Sequence, residues 1–421
     1  MDYLLKNGTV YTGGALVKQD LLISGGKVSF FKSVCSDNSN TTTIDCDNLF
    51  IFPGFVDVHT HLREPGFSYK ETVATGTNAA AHAGYSAIFT MPNLNPVPDS
   101  VENLKIQQDI IDKDAIINVF PFCSISKGEK GEKLADLIEL APMVKGFSDD
   151  GKGVQCQEMM VEAMRIAKEN DKIIVAHCED ESLLNGGYIH DGEYARLHGH
   201  KGICSESESK QVERDIELVK EIGVKYHVCH VSAKESVYAI RKAREQGVDV
   251  TAETGPHYLV LNDMMLKEDG GFKMNPPIRA EEDRLALIEG IKDGSIGMIA
   301  TDHAPHSLEE KSKGLLSLNG IVGLETAFPI LYTELVEKGV ITLEKLIEIM
   351  SINPAKRFGL PVGIVDGECA NLTVFNLKDE YEVNPDNFLS KGKSTPFKGY
   401  KVRGKCLANF CNGKLLFSDI K

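Results

Sequence analysis

Short apolar runs alternate with longer helical patterns from about residue 50 to residue 340, and few architectures accommodate this alternation. Several of the helical patterns end at a glycine just before the next run, as helix C-termini commonly do. The runs are LFIFPGFVDVHTH, SAIFTMPN, INVFPFCSIS, VKGFSDD, KIIVAHCED, VKYHVCHVS, VDVTAETGPHY and IGMIATDHAPH. Eight strand–helix units over about 290 residues predict an α/β fold of the TIM type, a (β/α)8 barrel. A doubly wound open sheet is the alternative, although no G-x-G-x-x-G follows the first run.

The two ends of the chain have a different pattern, with short strands separated by Gly and Asn turns. The N-terminal strands are DYLLKNGTVYT, DLLISGGKVSFF and TTTIDC, and the tail resumes the style in NLTVFNL, YKVRGKCLANFCNG and KLLFSD. We therefore expect residues 1–51 and 361–421 to build one small composite β-sandwich domain, with the barrel at 52–360 inserted between its halves. This domain is expected to brace the barrel and to carry no chemistry.

Charge and cysteine usage exclude several classes of function. The chain has 46 Lys and Arg against 61 Asp and Glu, a net charge of −15, which disfavours nucleic acid and anionic membranes as partners. No run of about 18 apolar residues is present, and the start lacks the blocks of a signal peptide. Ten cysteines without a C-x-x-C are typical of reduced thiols, so we expect a cytoplasmic protein.

Histidines and aspartates at the predicted strand ends carry the chemistry. His59 and His61 are two apart on the first barrel strand, so both imidazoles point the same way, towards the barrel mouth. Four further strand ends supply Asp149 or Asp150, His177, His230 and Asp302. Catalysis in this fold occurs at that rim, and such a cluster is best explained by bound cations. A second H-x-H, at 198–200, lies in a Gly-rich loop and is not expected to bind metal.

Eight motifs together resemble the longer-chain bacterial dihydroorotases, cyclic amidohydrolases of the amidohydrolase superfamily. They are FVDVHTHLREPG, TMPN, FSDDG, AHCED, CHVS, NPPIR, TDHAPH and GIVGLETAF. H-x-H alone marks only the superfamily, whereas L-R-E-P-G with M-P-N and D-H-A-P-H indicates the narrower family. The resemblance runs in order along the whole chain.

The resemblance implies a zinc centre with two Zn²⁺ per subunit, or one if the second is held less firmly. His59, His61 and Asp302 would hold one ion and His177 with His230 the other. An aspartate would bridge them, and family spacing favours Asp150 over Asp149. A carboxylated Lys145 or Lys152 is the remaining alternative for the bridge. Asp302 would also act as general base towards the water that the ions activate.

The resemblance also implies a substrate pocket. A carboxylate on a small cyclic amide would be bound by Arg63, Asn93 and His306, while Asn275 would face the ring. The segment 307–320 resembles a mobile loop over the site, with backbone contacts near Asn319 and Gly320; its Leu-Leu-Ser-Leu stretch departs from the usual loop pattern. His257, after the seventh strand, is expected to support the site rather than to catalyse.

The implied reaction interconverts (S)-dihydroorotate and N-carbamoyl-L-aspartate in de novo pyrimidine synthesis. One alternative is a dihydropyrimidinase or allantoinase, whose substrates have no ring carboxylate for Arg63 to bind. The other is a non-catalytic scaffold subunit for aspartate carbamoyltransferase, a class that typically loses metal ligands. We expect a homodimer, and association with that transferase is a further partnership that the resemblance allows.

Overall fold

The computed structural model describes residues 1–31 and 41–420. Its strands are short, between two and seven residues each. In chain order they are β1 (Asp2–Lys6), β2 (Thr9–Thr12), β3 (Ala15–Lys18), β4 (Asp20–Ser24), β5 (Lys27–Phe31), β6 (Thr41–Asp45), β7 (Phe50–Pro53), β8 (Phe55–Thr60), β9 (Tyr85–Thr90), β10 (Asn118–Pro121), β11 (Gly146–Phe147), β12 (Ile173–Ala176), β13 (Ile189–His190), β14 (Gly202–Ile203), β15 (Lys225–Val228), β16 (Val250–Thr254), β17 (Met298–Ile299), β18 (Leu372–Asn376), β19 (Tyr381–Glu382), β20 (Lys401–Val402), β21 (Lys405–Cys411) and β22 (Lys414–Ser418).

Helices separate the strands in the middle of the chain. They are α1 (Val73–His82), α2 (Val101–Asp114), α3 (Leu137–Leu140), α4 (Gln157–Glu169), α5 (Glu193–His198), α6 (Glu206–Ile222), α7 (Lys234–Glu245), α8 (Pro256–Val260), α9 (Glu281–Asp293), α10 (Ala327–Leu331), α11 (Leu343–Ile347) and α12 (Asn353–Arg357). Single turns of 3-10 helix lie at Lys127–Glu129, Ala141–Met143, Glu181–Leu183, Asp263–Met265, Gly270–Phe272, Gly314–Leu316 and Pro385–Asn387, and π-helical turns at Tyr332–Val336 and Glu348–Ile352 continue α10 and α11.

Two parallel sheets occupy the middle of the chain, which is therefore of mixed α/β type. The first has the order β10-β9-β8 and the second β11-β12-β15-β16-β17. Isolated parallel bridges connect their outer strands, Cys123 to Phe147 on one side and Thr60 to His303 on the other. The carboxyl ends of all eight strands consequently lie on the same side, which is where the candidate site forms.

Local sequence accounts for the helix ends. The side chain of Thr72 caps α1 by accepting a hydrogen bond from the Thr75 amide. Gly223 and Gly294 end α6 and α9 in the left-handed conformation, as the glycine pattern predicts. The stretch KLADLIELAP has a helical pattern but forms only α3 and the turn that follows, since Pro142 cannot supply a backbone donor to a continuing helix.

Strands from both chain ends pair with one another. A six-stranded sheet has the order β22-β21-β18-β7-β2-β3, in which β18 from the tail lies antiparallel to β7 from the N-terminal segment. A four-stranded sheet, β5-β4-β1-β6, is built from the N-terminal segment alone. A shared cluster of buried side chains joins the ends, including Leu5 and Val10 with Leu372 and Phe410. Within residues 1–31 and 41–420, no helix combines the length and the hydrophobicity that a membrane span requires.

Candidate metal and substrate site

The six side chains predicted as metal ligands lie close together at the carboxyl ends of the parallel strands. His59 is the penultimate residue of β8, and His61 follows that strand directly. The other four come within three residues after β11, β12, β15 and β17, and they are Asp150, His177, His230 and Asp302. All six are buried. These four strands thus end one to three residues before their predicted ligands, and the polar side chains stand on the first residues of the loops.

Asp302 and Asp150 both face the first histidine pair. Asp302 Oδ1 lies 3.1 Å from His61 Nε2 and 3.6 Å from His59 Nε2. Asp150 Oδ1 lies 3.3 Å from His59 Nε2, and its Oδ2 lies 3.5 Å from His61 Nε2. Both imidazoles therefore converge on the same two carboxylates.

The second histidine pair lies on the other side of Asp150. His177 Nδ1 and His230 Nε2 are 2.9 Å apart, and they lie 3.7 and 3.5 Å from Asp150 Oδ1. Burial alone would raise the pKa of Asp150, but His59 and His230 outweigh burial and hold this pKa well below its usual value. Asp150 is thus a carboxylate among four imidazoles.

Asp149, the alternative bridge, points elsewhere. Its carboxylate accepts hydrogen bonds from the backbone amides of Ile125 and Ser126, at 2.7 and 3.0 Å, and from the Ser126 hydroxyl. Lys145, a further alternative, stacks over Phe120 at 5.9 Å and does not line the cavity. Of these candidates only Asp150 faces the histidines.

The arrangement fits a divalent cation. Two sets place one ligand atom per residue within 4.8 Å of one another, namely His59, His61 and Asp302, and His59, Asp150 and His230. His59 Nε2, Asp150 Oδ1 and His177 Nε2 are buried without a hydrogen-bond partner among the described residues. Buried polar atoms without partners are costly, and imidazole nitrogens with carboxylate oxygens are donors that zinc prefers.

Glu253, which the sequence analysis did not single out, lies directly behind the cluster. Its Oε1 accepts a hydrogen bond from His59 Nδ1 at 2.8 Å, and its Oε2 lies 3.0 Å from His227 Nε2. Burial opposes the charged form, yet the hydrogen bonds from His227 and His59 prevail and lower the pKa of Glu253 to about 2. Its position at the end of β16, one of the three rim strands without a predicted metal ligand, is the signal that could have identified it.

Cys229 lies unexpectedly close to this carboxylate. Regular strand alternation would place it on the face opposite its neighbour His230, yet its sulfur lies within 4.8 Å of ligand atoms of His59 and Glu253. Burial raises the pKa of the Cys229 thiol, so it is a packed thiol rather than a thiolate ligand.

One cavity of about 260 Å³ opens onto the cluster and contains all the predicted substrate contacts. The lining residues are His61, Arg63, Asn93, Asp150, Gly151, His177, His230, Asn275, Asp302, Ala304, His306, Leu318, Asn319 and Gly320. Such a volume suits a single small ring. The loop residues Asn319 and Gly320 do reach the cavity, as the resemblance implied.

Arg63 is held beside the cluster with its charge unpaired. Its Nε donates to the Pro305 carbonyl at 3.2 Å, and Nη2 lies 3.4 Å from His306 Nε2. Among the described residues, no carboxylate oxygen lies within 4.0 Å of the Arg63 guanidinium nitrogens, the distance that an ion pair requires. Burial lowers the pKa of Arg63, although a guanidinium stays charged at neutral pH. The cavity therefore offers a cation to an anionic ligand.

Two asparagines line the cavity, each braced by a buried glutamate. Asn93 Nδ2 donates to Glu129 Oε1 at 3.1 Å and to the Asp150 carbonyl at 2.7 Å. Asn275 Nδ2 donates to Glu179 Oε1 at 3.0 Å. The Oδ1 atoms of both asparagines are buried without a partner among the described residues. Each amide thus has a fixed orientation, and no local sequence pattern marks either glutamate as its partner.

The remaining histidines lie outside the cavity. His200 bonds Tyr188 Oη and Glu268 Oε1, both at 2.8 Å. His257 is buried, its ring centroid 4.0 Å from that of Tyr258, and burial lowers its pKa to about 4. The 198–200 pair accordingly contributes nothing to the cluster.

Comparison with known proteins identifies the family. A family model described as dihydro-orotase-like matches residues 48–236. A protein of Fusobacterium nucleatum named dihydroorotase is 48% identical over 419 residues, covering 99% of this chain and 98% of that protein. The chain belongs to the dihydroorotase family. A second dihydroorotase-family relative, named dihydroorotase in Bacillus cereus, is 47% identical over 421 residues, with 99% and 98% of the two chains covered. The resemblance inferred from the sequence motifs is confirmed.

Solved structures of related enzymes share the fold of this family member. The L-hydantoinase of Arthrobacter aurescens superposes with a TM-score of 0.89 at 25% identity, covering 100% of this chain and 97% of that one. The dihydropyrimidinase of Brevibacillus agri gives a TM-score of 0.86 at 24% identity, with 100% and 96% covered. At these identities the likeness concerns the architecture.

Proposed function

We propose that the protein catalyses the dihydroorotase reaction, the reversible conversion of (S)-dihydroorotate and water to N-carbamoyl-L-aspartate in pyrimidine synthesis. The observation that carries this proposal is the half-buried, unpaired Arg63, which lines the same small cavity as five of the six predicted metal ligands. The cluster suits amide hydrolysis, and the arginine suits the carboxylate that dihydroorotate carries on its ring.

The donor set fits zinc, and its chemistry would come from the ion. His59, His61 and Asp302 would hold one Zn²⁺, His177 and His230 a second, and Asp150 would contact both. Bound zinc lowers the pKa of a water ligand to about 7 and polarises a carbonyl oxygen. We propose two ions per subunit.

Asp302 is the residue that moves the proton. Burial would raise the pKa of its carboxyl, but the hydrogen bond with His61 and the neighbouring imidazoles lower it, so Asp302 is ionised at neutral pH. Oδ1 is engaged with His61, which leaves the second oxygen to accept a proton from the attacking water. The same oxygen then delivers this proton to the leaving amide nitrogen.

Arg63 and His306 select and orient the substrate. The guanidinium would grip the ring carboxylate, with Asn93 alongside and Asn275 against the ring. Burial, and after it the charges of Arg63 and Lys70, lower the pKa of His306 to about 4, so the imidazole is neutral near pH 7. Its Nε2 lies 2.8 Å from the Asn319 carbonyl, which joins the carboxylate site to the loop.

The finer architecture that we propose is a closed (β/α)8 barrel over residues 52–360 with a composite β domain from 1–51 and 361–421. Support for closure comes from the two bridges between the parallel sheets. Support for the composite domain comes from the pairing of β7 with β18. No described residue of 1–51 or 361–421 lines the cavity.

An assay on the purified protein with a matched variant tests the function. We expect turnover of dihydroorotate and N-carbamoyl-L-aspartate, with little activity on dihydrouracil, hydantoin or allantoin. Arg63→Ala should reduce kcat/KM for dihydroorotate by about 100-fold or more, as expected when a charge-assisted bidentate contact is lost. Unchanged kinetics in this variant would refute the substrate assignment.

The same preparation separates the enzyme from a scaffold subunit. The enzyme requires zinc by elemental analysis together with turnover. Bound zinc without turnover of either substrate would instead favour the scaffold, which needs the shape of the site but not its chemistry.

A further inference from the structure

One segment of the cavity wall comes from a loop rather than from a strand end. We call residues 307–320 the cover loop, of which Leu318, Asn319 and Gly320 line the cavity. Such a loop can hold a ligand in one orientation only if the backbone of the loop is itself fixed. The cover loop contains one buried charged side chain that is directed back at the loop itself, Lys311.

The Lys311 ammonium group donates three hydrogen bonds, each to a backbone carbonyl oxygen. Nζ lies 2.7 Å from the Leu318 carbonyl oxygen, 2.7 Å from that of Gly320 and 2.9 Å from that of Lys273. The first two carbonyls flank Asn319, and the third belongs to the segment that leads to Asn275. The Lys273 carbonyl also accepts from the Gly320 amide at 3.0 Å. Lys311 thus ties the cavity-facing end of the loop to the fixed wall opposite.

Neither acidic residue of the cover loop, Glu309 or Glu310, forms an ion pair with this ammonium group. Glu310 lies 3.0 Å from Lys70 Nζ and accepts a hydrogen bond from Tyr69 Oη at 2.9 Å. Burial, and after it the charge of Lys273, lower the pKa of Lys311 to about 7. The other charged groups that face this ammonium group are Asp269, Arg63 and Glu310. A buried ammonium group is costly unless its donors are hydrogen-bonded, and the three carbonyls supply those bonds.

The backbone N–H groups of Asn319 and Gly320 indicate the function of the Lys311 contacts. The Gly320 amide is committed to the Lys273 carbonyl, and the Asn319 carbonyl lies 2.8 Å from His306 Nε2. The Asn319 amide has no acceptor among the described residues, and it lies between the two carbonyls that Lys311 binds. That donor is left for a ligand in the cavity.

We propose that Lys311 is a positioning residue, which holds the cover loop closed so that the Asn319 amide faces the bound substrate. The proposal rests on the proposed function for the identity of that substrate. Lys311 itself touches no reacting atom, so its effect should fall on substrate binding more than on the chemical step.

Kinetics of Lys311→Met, which keeps the length of the side chain and removes its donors, test the proposal. We expect KM for dihydroorotate to rise about tenfold with kcat within about twofold, since charge-assisted hydrogen bonds order a binding loop and not the proton transfer. Lys313→Met is the matched control, because Lys313 is exposed on the same loop and the charge change is identical. Lys311→Arg, which restores a charged donor, should recover part of the affinity.

A fluorescence readout separates loop order from activity. The chain has no tryptophan, and Leu316 lies on the cover loop, 65% exposed and outside the cavity lining, so Leu316→Trp gives a single reporter. We expect lower anisotropy of this reporter in the Lys311→Met background than in the parent or in Lys313→Met. This measurement needs no turnover, so it remains decisive even if dihydroorotate is not the substrate.

Two results would overturn the proposal. One is a Lys311→Met protein with unchanged KM and unchanged reporter anisotropy. The other is a lower thermal unfolding temperature with neither quantity altered, which would make Lys311 a residue of the fold alone. Failure of the parent protein to turn over dihydroorotate would instead refute the proposed function.

Discussion

Replacing Glu253 by glutamine should weaken metal binding without direct contact to the metal. Glu253 is fully buried, and its Oε1 accepts from His59 Nδ1 at 2.8 Å. Because Nδ1 carries the proton in that hydrogen bond, Nε2 of His59 has a free lone pair, and this atom faces Asp150 and Asp302. The carboxylate therefore fixes both the tautomer and the direction of the ligand atom.

Glutamine has the shape of glutamate, but one of the two acceptor oxygens is replaced by an NH2 donor. It therefore cannot accept hydrogen bonds from both His59 and His227 in the way that the carboxylate does. His227 can adapt, since its Nδ1 lies 2.9 Å from Thr251 Oγ1 and can donate there while Nε2 accepts from the new amide. His59 then retains one neutral acceptor in place of a carboxylate. Losing such a partner typically lowers metal affinity 10- to 100-fold, which corresponds to about 1.4 to 2.7 kcal/mol.

Competition with a calibrated chelator measures this difference in zinc Kd directly. Asp215→Asn is the matched control, because Asp215 is equally buried and accepts from Tyr226 Oη at 2.6 Å, so the substitution costs stability away from the cluster. We expect a wild-type Kd for the control and a raised Kd for Glu253→Gln. A folded Glu253→Gln protein with zinc affinity within about twofold of wild type would refute the reasoning that a carboxylate behind a ligating histidine raises metal affinity.

Three further substitutions give distinct outcomes. Asp150→Asn should abolish stoichiometric zinc binding in elemental analysis. Asp149→Asn should retain zinc and lower the free energy of unfolding by about 1–3 kcal/mol, because the side chain loses acceptors for Ser126. Equal zinc loss in both variants would contradict the assignment of Asp150. Burial lowers the pKa of His190 to about 4, so the unfolded chain binds a proton that the folded chain excludes, and stability falls as pH drops from about 6.5 towards 4. His190→Gln should remove about 2 kcal/mol of that loss at pH 5, measured by denaturant unfolding at pH 7 and pH 5, and identical pH slopes would argue against it.

The ligand cluster could be predicted because it depends on strand direction alone. Parallel strands end on one side, so a histidine or aspartate at the end of each apolar run must come near the others. His59 and Asp302 are 243 positions apart in the sequence numbering yet have atoms 3.6 Å apart. The prediction needed only the direction of the strands and the one to three residues that follow them.

The supporting carboxylates could not be predicted in this way. Glu129 follows a left-handed turn at Gly128, and only that loop conformation brings it to Asn93. Glu179 reaches Asn275 across 96 residues of chain. Such contacts depend on the path of loops between strands, which apolar periodicity does not encode. The choice between Asp149 and Asp150 has the same origin, because β11 ends at Phe147 and strand alternation no longer applies beyond it.

The net negative charge of the chain makes the unpaired Arg63 important for binding an anionic substrate. A net charge of −15 gives small anions no long-range attraction, so an anionic substrate must be bound by local charge. The cluster supplies little of that charge by itself, since Asp150 and Asp302 are ionised. Cations held there would reverse the local sign, and Arg63 adds a permanent positive charge beside them. Affinity for the substrate should therefore depend on metal occupancy as strongly as on Arg63.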